Sequence, residues 1–540
     1  MDSYRWEKTY PGHVSWRAPL PAARPLQDML QRAAQAWPER AGLDFYGETH
    51  SFRELWALAN RAAAGLTRLG VGPGTGVGLH LPNMPPFVAA FFGALIAGGR
   101  VVNLSFLTSP SALAFQLRDT GVDVLITADP ALPGSGLLKE APKVRTVLLC
   151  RENDLAAQAP EPHSFAALLR EGGEPPARGT PSLTDDVILL QYTGGSTGTP
   201  KAAMLTHANV CASVDIRNRS AGDTAGGADK TLLVTPLSHV SGLSSVLLCA
   251  LDTGMPMVMH RRFDPGDVLK DVAEKQITIL SLVPSMYALL VDHPEIGKFD
   301  LSSLRRCTST GGPLPARVAR KFLELTGLPL LERYGCTEAA PAVASQVMLG
   351  KARPGTVGLP EPNTIIEIRD PADGITVLPP SASGEICVRG PQVMKGYWNR
   401  PEETERALKG GFLHTGDLGA MDAEGFLTLT GRLKEIIFCG GFNIYPKNIE
   451  DALNEHPAVA EAAVISVPDK YLVEMPKAFV VLRPGAKDVT SREIRRFIAA
   501  RLSKHEMPAS IEIWESLPKT AAGKISKRDI LATQPQSSAD

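Results

Sequence analysis

The amino-acid sequence predicts an α/β protein built from two unequal parts. Residues 1–432 are expected to form a large N-terminal domain of parallel-type sheets with helices plus a β-barrel-like part, and residues 433–540 a small α+β domain. Three observations carry this prediction: alternating helix and strand patterns in the first half, short strands separated by turns from about Thr364, and a new alternation after Gly431. Alternating strands and helices are typical of parallel sheets covered by helices on both faces.

The alternation begins with a helix over Ser51–Leu69, in which apolar residues recur at helical spacing. Glycines at positions 72–76 then interrupt the chain before the next strand. Hydrophobic runs bounded by turns predict the elements that follow: a strand over Val77–Leu81, a helix over Phe87–Ala97, a strand over Val101–Leu104, a helix over Ser111–Thr120 and a strand over Val122–Thr127.

Short strands dominate the middle and the end of the chain. Those of the central region are predicted over Val187–Tyr192, Leu232–Thr235, Met257–Met259 and Thr278–Leu282. Beyond Thr364 the segments IIEIRD, GEICVRG and GFLTLTG, with turns between them, indicate the β-barrel-like part. After Gly431 the small domain is predicted to have helices over Asn448–Glu455 and Ser491–Leu502 and strands over Val459–Val467 and Lys477–Leu482.

The composition is that of an average soluble enzyme and excludes several classes of protein. The 56 basic and 57 acidic residues give a formal net charge of −1, so no nucleic-acid partner is expected. The seven cysteines are scattered without zinc-ligand spacing, which is typical of reduced thiols in a cytoplasmic protein. No apolar run is long enough for a transmembrane segment. The sequence leaves open whether the protein is a monomer or a homodimer.

The richest local signal is the segment YTGGSTGTPKA over residues 192–202, directly after a predicted buried strand. Glycines allow backbone N–H groups to turn toward an anion, and hydroxyl groups and a lysine supply further donors. The segment is therefore predicted to bind phosphate groups. Its candidate ligands are Thr193, Gly194, Gly195, Ser196, Thr197, Gly198 and Lys201.

Two other interpretations of this loop, a Walker loop and the nucleophile elbow of a serine hydrolase, require different sequence patterns. It is not a Walker loop, because Pro200 precedes Lys201 and Ala202 follows it. Residues 194–198 do read GxSxG, the pattern of the nucleophile elbow in serine hydrolases. An elbow needs a helix immediately behind the serine, whereas KAAML suits a returning strand. A serine hydrolase nevertheless remains an alternative from a different functional class.

Four further motifs follow in order: YGCTE at 334–338, TGD at 415–417, GRLKEIIFCGGFNIYPKNIE at 431–450 and LPKTAAGKISKR at 517–528. With the glycine loop, they resemble the signature motifs of the adenylate-forming superfamily, which includes acyl- and aryl-CoA ligases, nonribosomal peptide adenylation domains and luciferase. The segments YPGHVSW, PLSHVSGL and STGGPLP resemble most the bacterial medium- and long-chain fatty acid–CoA ligases.

The resemblance implies two half-reactions. A carboxylic acid, here a medium- or long-chain fatty acid, reacts with ATP to give acyl-AMP and pyrophosphate, and coenzyme A then displaces AMP to give acyl-CoA. ATP, Mg²⁺ and coenzyme A are the implied cofactor and co-substrates, and the acid is the small-molecule partner. An aryl-CoA ligase and an acyl-AMP ligase that loads a carrier protein remain alternatives within the superfamily.

The resemblance also implies roles for residues around the nucleotide. Lys524 would neutralise charge between the acid and the α-phosphate, Thr337 would contact that phosphate, and Glu338 would be the metal ligand. The adenine would lie against Tyr334 and Gly335, and Asp417 and Arg432 would bind the ribose. The segment Gly311, Gly312 and Pro313 would close the other side of the adenine.

The remaining implied roles concern the acid, coenzyme A and domain motion. His239 and the residues after it, Val240, Ser241, Gly242 and Leu243, would line the acyl site, where small residues are expected to leave volume. Because Val240–Leu251 contains no charged residue, the acid is expected to have an uncharged tail. Gly440, Gly441 and Phe442 would line the path of coenzyme A, and Lys434 would be the hinge of a mobile C-terminal domain.

Overall fold

A computed structural model describes residues 4–155, 163–173, 181–193, 200–222, 229–439, 442–469, 472–486, 488–520 and 523–534, apart from the side chains of residues 442, 443 and 473. In this part of the chain the α-helices are α1 (Asp28–Ala36), α2 (Phe52–Arg68), α3 (Pro85–Ile96), α4 (Pro110–Thr120), α5 (Phe165–Arg170), α6 (His207–Ala221), α7 (Cys249–Thr253), α8 (Pro265–Lys275), α9 (Pro284–Val291), α10 (Ala316–Thr326), α11 (Pro401–Ala407), α12 (Pro446–Asn454), α13 (Ser491–Ala499) and α14 (Lys527–Ala532).

The strands of the first half are β1 (Ala41–Phe45), β2 (Glu48–Ser51), β3 (Gly76–His80), β4 (Arg100–Leu104), β5 (Val122–Thr127), β6 (Thr146–Leu149), β7 (Val187–Tyr192), β8 (Ala202–Thr206), β9 (Thr231–Leu233) and β10 (Met257–Met259). Those of the second half are β11 (Ile279–Leu282), β12 (Arg306–Thr310), β13 (Leu330–Tyr334), β14 (Ala344–Ser345), β15 (Leu359–Pro360), β16 (Ile365–Arg369), β17 (Gly384–Arg389), β18 (Gly396–Tyr397), β19 (Leu413–Met421), β20 (Leu427–Arg432), β21 (Ile437–Cys439), β22 (Phe442–Ile444), β23 (Val459–Asp469), β24 (Val473–Leu482) and β25 (Ile511–Trp514).

Two large sheets with parallel cores confirm the predicted fold class. One has nine strands in the order β15-β14-β13-β12-β11-β9-β10-β1-β2, and the run from β13 to β1 is parallel throughout. The other has seven strands in the order β18-β8-β7-β4-β3-β5-β6, and the run from β7 to β6 is parallel. Most of their buried side chains belong to one hydrophobic cluster that also takes in α2 and α3.

Local sequence explains why these helices form where predicted. Ser51 caps α2 by accepting a hydrogen bond from the backbone N–H of Glu54, whose carboxylate accepts from the Ser51 N–H. The apolar face of α2 is buried, whereas every residue of α3 is buried, as its almost continuous apolar sequence requires. In the described residues no helix has the length and hydrophobicity needed to cross a bilayer.

The predicted β-barrel-like part is an open four-stranded antiparallel sheet in the order β16-β17-β19-β20. Its two outer strands do not pair with each other, because four strands joined by antiparallel pairings are too few to close into a ring around packed side chains. The strand β19 carries Asp417 and the neighbouring β20 ends at Arg432, so this sheet delivers two of the predicted site residues.

The last sheet is made only of strands between Ile437 and Trp514, in the order β22-β21-β24-β23 with β25 beside β24. Helices α12 and α13 cover it, and their apolar side chains join those of its strands in a hydrophobic cluster of their own. The α+β character predicted for the end of the chain is therefore present. The domain boundary between residues 432 and 433 stays a prediction.

Candidate active site

The candidate site lies at the carboxyl edge of the nine-stranded sheet, where β12 and β13 end. Gly311, Gly312 and Pro313 follow β12 directly, and Tyr334 is the last residue of β13. Gly311 has a φ of +89°, a left-handed conformation that favours glycine. In open α/β sheets, ligands bind outside the carboxyl ends of parallel strands. The predicted nucleotide-binding residues are thus brought to the edge where the topology favours a ligand.

The Asp417 carboxylate is oriented by two neighbours from different strands. Tyr334 Oη donates a hydrogen bond of 2.7 Å to Asp417 Oδ2, and Arg432 Nε lies 3.0 Å from Asp417 Oδ1. Asp417 and Arg432 are direct partners in the pairing of β19 with β20. Burial and the charge of Asp417 raise the pKa of Tyr334, so the phenol stays protonated and remains a donor. The arrangement presents a fixed acceptor to a ligand's hydroxyl groups.

Lys524 reaches this site from the C-terminal end of the chain. A Cβ atom placed on Gly311 would lie 3.4 Å from Lys524 Cε and 3.9 Å from its Nζ. Ser285 Oγ donates a hydrogen bond of 3.4 Å to the carbonyl oxygen of the preceding Gly523. Burial and then the charge of Arg432 lower the pKa of the Lys524 amine, while Asp417 opposes them. The structure therefore brings Lys524 together with the Asp417–Arg432 pair.

Thr337 and Glu338 lie in a short 3₁₀ turn, Thr337–Ala339, that follows β13. Thr337 is buried, and Glu338 is partly exposed. Tyr397 Oη donates a hydrogen bond of 2.7 Å to Glu338 Oε1. Mg²⁺ is usually bound by one or two carboxylates together with substrate phosphates, so a carboxylate in this position fits the predicted metal ligand.

A second group of potential ligands, Glu385, Cys387 and His414, lies below the turn that carries Asp417. Its thiol and imidazole suit softer metals than Mg²⁺. Glu385 Oε1 accepts a hydrogen bond of 3.0 Å from the Gly416 N–H, and Glu385 Oε2 lies 2.8 Å from His414 Nδ1. We interpret this cluster as a support that positions the turn between His414 and Asp417.

The predicted phosphate loop can be described only at its base. The Thr193 N–H donates a hydrogen bond of 2.8 Å to the Lys201 carbonyl oxygen, which closes the two ends of the loop. Lys201 Nζ forms an ion pair with Glu403 and lies 5.1 Å from the centre of the Tyr397 ring. The other predicted ligands of the loop lie outside the described residues: Gly194, Gly195, Ser196, Thr197 and Gly198.

The element after the loop argues against the serine hydrolase alternative. Residues 202–206 form β8, which pairs with β7 in antiparallel fashion, and α6 begins only at His207. A nucleophile elbow requires a helix directly after the serine, so that its hydroxyl projects at the top of the sheet. A hairpin occupies this position instead, as the sequence KAAML predicts.

His239 precedes a π-helix over Ser241–Leu248, which continues into α7. The Ser241 N–H donates a hydrogen bond of 3.2 Å to His239 Nδ1. Burial, followed by the positive charge of Lys524, lowers the pKa of His239 to about 3. His239 is therefore neutral at physiological pH. The influence of Lys524 on His239 is consistent with the predicted acyl site, and the following residues Val240, Ser241 and Leu243 are all buried.

Gly242 does not leave volume for a ligand in the way its small size suggests. A Cβ atom on Gly242 would lie 2.3 Å from the Pro236 carbonyl oxygen and 2.6 Å from that of Thr235. The glycine is needed because the helix packs directly on the preceding backbone. Gly335 is similar, since its Cβ would lie 1.5 Å from the Pro341 carbonyl oxygen. The sequence could not distinguish a ligand-facing glycine from one that permits close packing.

The predicted hinge residue, Lys434, lies in the described part of the chain, whereas the predicted coenzyme A path is described only from Phe442 onward. Lys434 is exposed in a 3₁₀ turn, Leu433–Glu435, between β20 and β21. Glu435 pairs with Lys527 at 2.6 Å, and Lys527 also pairs with Glu450 at 2.8 Å. Gly440 and Gly441 lie outside the described residues, and Phe442 is the first residue of β22.

The sequence interpretation missed Tyr397, Glu403 and the Glu385–His414 pair. Tyr397 and Glu403 both belong to the segment GYWNRPEE at 396–403, which has neither a glycine-rich loop nor metal-ligand spacing to mark it as a site. Their role depends on the antiparallel pairing of β18 with β8, which brings Tyr397 opposite Ala203 and close to Lys201. Only the fold creates this proximity.

Two family models match the chain. The model for AMP-binding enzymes matches residues 30–398, and that for the C-terminal domain of AMP-binding enzymes matches residues 448–524. The chain is 38% identical to a long-chain-fatty-acid–CoA ligase of Bacillus subtilis over 553 aligned positions, which cover 97% of each chain. It is 35% identical to a feruloyl-CoA synthase of Amycolatopsis over 506 positions, which cover 92% of this chain and 97% of the relative.

Solved structures show the same architecture. The o-succinylbenzoate coenzyme A synthetase of Bacillus subtilis, determined with ATP and a magnesium ion, is 32% identical to this chain. It superposes with a TM-score of 0.81 over 93% of this chain and 99% of its own. Within the sequence, the match to the family model for the C-terminal domain extends to Lys524.

Proposed function

This chain belongs to the family of AMP-binding enzymes, and from that membership we propose that it activates a fatty acid. It is an AMP-forming acid–CoA ligase that uses ATP with Mg²⁺ and coenzyme A. In the first half-reaction a carboxylate oxygen attacks the α-phosphorus of ATP and pyrophosphate leaves. In the second, the coenzyme A thiol attacks the acyl carbon of the acyl-AMP and AMP leaves.

The position of Lys524 is the observation that carries the assignment of the first step. Its amine lies against Gly311 and close to Asp417 and Arg432. In the proposed arrangement it sits between the acid carboxylate and the α-phosphate, two anions that repel each other as they approach. A preorganised donor of this kind stabilises a transition state by about 3–4 kcal/mol.

The other residues bind and orient the nucleotide in this proposal. Asp417, held by Tyr334 and Arg432, accepts hydrogen bonds from the ribose hydroxyls, while the Tyr334 ring and Gly311 to Pro313 enclose the adenine. Thr337 contacts the α-phosphate, and the segment from Thr193 to Lys201 contacts the β- and γ-phosphates. Glu338 would hold the Mg²⁺, which when bound neutralises phosphate charge.

The second half-reaction requires a different face of the C-terminal domain. In this proposal Lys524 acts in the first step and the segment Gly440 to Phe442 in the second, so the two would reach the reacting centre in turn. We therefore assign a rotation of residues 433–540 against residues 1–432, with Lys434 as its hinge. The exposed turn at Lys434 supports this assignment, because hinges are loop positions that absorb changes in φ and ψ.

The fatty-acid assignment rests on the buried apolar residues after His239, Val240 and Leu243, and on the long-chain-fatty-acid–CoA ligase that is 38% identical over an alignment covering 97% of the chain. The test is a panel of aliphatic and aromatic acids assayed for CoA-dependent AMP formation. We expect the highest kcat/KM with an aliphatic acid. Preference for an aromatic acid would contradict the assignment, and acyl transfer to a carrier protein but not to coenzyme A would favour a carrier-loading ligase.

All seven cysteines are free thiols. On that ground we place the enzyme in a reducing compartment, the cytoplasm.

A further inference from the structure

A cavity of about 40 Å³ lies between the nine-stranded sheet and the helices that cover it. A water molecule needs roughly 10–15 Å³ by this measure, so the cavity has room for about three waters. Its lining is unusual for a protein interior because three arginines converge on it from different elements. The polar residues of its wall include Arg217, Ser245, Ser281, Arg306, Thr308 and Arg333.

The sheet register explains why these side chains meet. Arg306 and Thr308 are two positions apart on β12, so they point to the same face. Ser281 is the direct partner of Thr308 on the neighbouring strand, and their hydroxyl oxygens are 2.8 Å apart. Arg333 is the direct partner of Thr310, which lies on that same face. Arg217 reaches the cavity from α6, which covers this face.

The three guanidinium groups carry more positive charge than their surroundings neutralise. Arg217 is only 3% exposed, and Arg306 and Arg333 are partly buried. Arg217 Nη2 donates to the Pro341 carbonyl oxygen at 3.1 Å, and Arg306 Nη1 to that of Ala221 at 2.9 Å. In the part of the chain that the structure describes, none of the three forms an ion pair, and the buried Nε atoms of Arg217 and Arg333 lack a hydrogen-bond partner.

Two carboxylates, Glu361 and Asp229, favour the charged forms of these arginines, but in the described residues neither forms an ion pair with them. Glu361 is fully buried and accepts a hydrogen bond from Ser220, and it favours the charged forms of Arg217 and Arg333 without contacting either. Burial, and then the charge of Arg333, lowers the pKa of Arg217 and of Arg306 to about 10, so both remain cations at neutral pH. Buried cations without a counterion are costly, which favours binding of an anion.

Two elements of the cavity wall continue along the chain toward the proposed acyl site. Thr308 lies on β12 and precedes Gly311, the first residue after that strand, by three positions, a distance of roughly 10 Å at 3.3 Å per residue. Ser245 lies in the π-helix that covers this face and follows His239, which precedes that helix, by six residues, roughly 9 Å at the helical rise of 1.5 Å per residue. The same helix and the same strand thus border both the reacting centre and the cavity. An extended chain of about 10 Å would join them.

We propose that Arg217, Arg306 and Arg333 bind an anionic group at the far end of the acid, which makes the substrate an aliphatic dicarboxylic acid. The inference rests on the proposed function and refines its substrate class. A carboxylate matches the small polar cavity and the unpaired guanidinium donors, whereas a longer alkyl chain does not. The sequence predicted an acid with an uncharged tail because residues 240–251, which form the covering helix, contain no charged side chain. The three arginines belong to other elements, α6, β12 and the strand β13, which that argument did not consider.

The test compares monocarboxylic and α,ω-dicarboxylic acids of equal carbon number, each assayed for CoA-dependent AMP formation. At the matching chain length we expect the wild type to favour the dicarboxylic acid in kcat/KM. Arg333→Met, which keeps length and removes charge, should lower that preference about 100-fold, because it removes one partner of a buried charged contact. Arg306→Gln should act in the same direction, and the exposed neighbour Arg305→Gln is the matched control.

Each outcome decides the proposal. The ratio of the two activities is measured within one variant, so a partly unfolded fraction does not change it. A wild-type enzyme that favours the monocarboxylic acid overturns the inference and leaves the fatty-acid assignment intact. A dicarboxylic preference that survives in both Arg333→Met and Arg306→Gln overturns the assignment to this cluster. Preference for aromatic acids over both series overturns the proposed function, and the inference with it.

Discussion

Asp292 and Arg483 form an ion pair between the larger and the smaller part of the molecule, with Arg483 Nη1 at 3.2 Å from Asp292 Oδ2. Arg317 and Lys321 contact the same carboxylate at 2.6 and 3.0 Å. Burial opposes ionisation of Asp292, but the hydrogen bonds from Arg317 and Lys321 outweigh it and lower its pKa to about 2. With the contact of Ser285 to Gly523, this pair holds the arrangement in which Lys524 enters the site.

We therefore expect Asp292→Asn to slow adenylation while thioester formation from supplied acyl-AMP is unchanged or faster. A partly exposed pair contributes up to about 1 kcal/mol, which corresponds to a rate effect of at most about fivefold. Arg483→Gln should give the same result, and the double variant should add little to either. Two independent, additive effects in this cycle would show that the residues do not act as a pair.

Lys524→Ala should abolish acyl-AMP formation and spare the second half-reaction. The amine is needed only while the carboxylate and the α-phosphate approach each other, and its loss should reduce the adenylation rate about 10²–10³-fold. Acid-dependent pyrophosphate release measures the first step, and thioester formation from synthetic acyl-AMP measures the second. Lys519→Ala, which removes an exposed lysine paired with Glu461, is the control. An equal loss in both steps would contradict the assignment.

Lys434→Pro should impair thioester formation much more than adenylation. Proline restricts φ to about −65° and removes an N–H group, so a turn that must change conformation between the two steps becomes rigid. Lys434→Ala, which removes the side chain but leaves the backbone free, should retain most of both activities. If the proline variant has wild-type rates in both half-reactions, Lys434 is not the hinge.

Tyr397→Phe should weaken the use of Mg²⁺ in the first step. The substitution removes the hydrogen bond to Glu338 Oε1 but keeps the aromatic ring below Lys201. A hydrogen bond to a charged group contributes about 1.5–3 kcal/mol, so adenylation at limiting Mg²⁺ should fall roughly 10- to 100-fold. Because the role is one of positioning, excess Mg²⁺ should restore part of the rate. A loss that does not depend on Mg²⁺ concentration would argue against it.

The buried histidines should make the folded protein sensitive to acid. His207 accepts a hydrogen bond of 3.0 Å from the Leu26 N–H, and burial lowers its pKa to about 4. The unfolded chain therefore takes up a proton near pH 6.5 that the folded chain refuses, and stability is present above that pH and falls as the pH decreases toward 4. The slope for one such group is at most about 1.4 kcal/mol per pH unit.

His207→Asn removes this titration while keeping an acceptor for the Leu26 N–H. Urea unfolding of the variant should accordingly show a weaker pH dependence between about pH 6 and pH 4.5 than that of the wild type. Parallel curves for the two proteins would mean that folding does not change the pKa of His207.

Elements with strong periodicity were predictable because their cause is local. The helix predicted over Ser51–Leu69 is α2, and the strands predicted over Val122–Thr127 and Val187–Tyr192 are β5 and β7 with the same limits. Apolar spacing, a capping serine and glycines at the ends decide such segments before any tertiary contact forms. The ordered motifs likewise allowed the family to be predicted from the sequence. They also identified Lys524, Glu338 and Asp417 as candidate site residues.

Contacts between distant segments needed the tertiary structure. The Tyr334–Asp417–Arg432 arrangement depends on the register of β19 with β20, and the Tyr397–Glu338 hydrogen bond on the pairing of β18 with β8. Residue type alone predicted Gly242 to leave space, whereas the backbone beside it shows that the helix packs there. The sequence by itself determined the elements and the chemistry on each. The tertiary structure decided which side chains share a cavity, because only the packing of the sheet against its covering helices brings distant residues together. Arg217, Arg306 and Arg333 are the example.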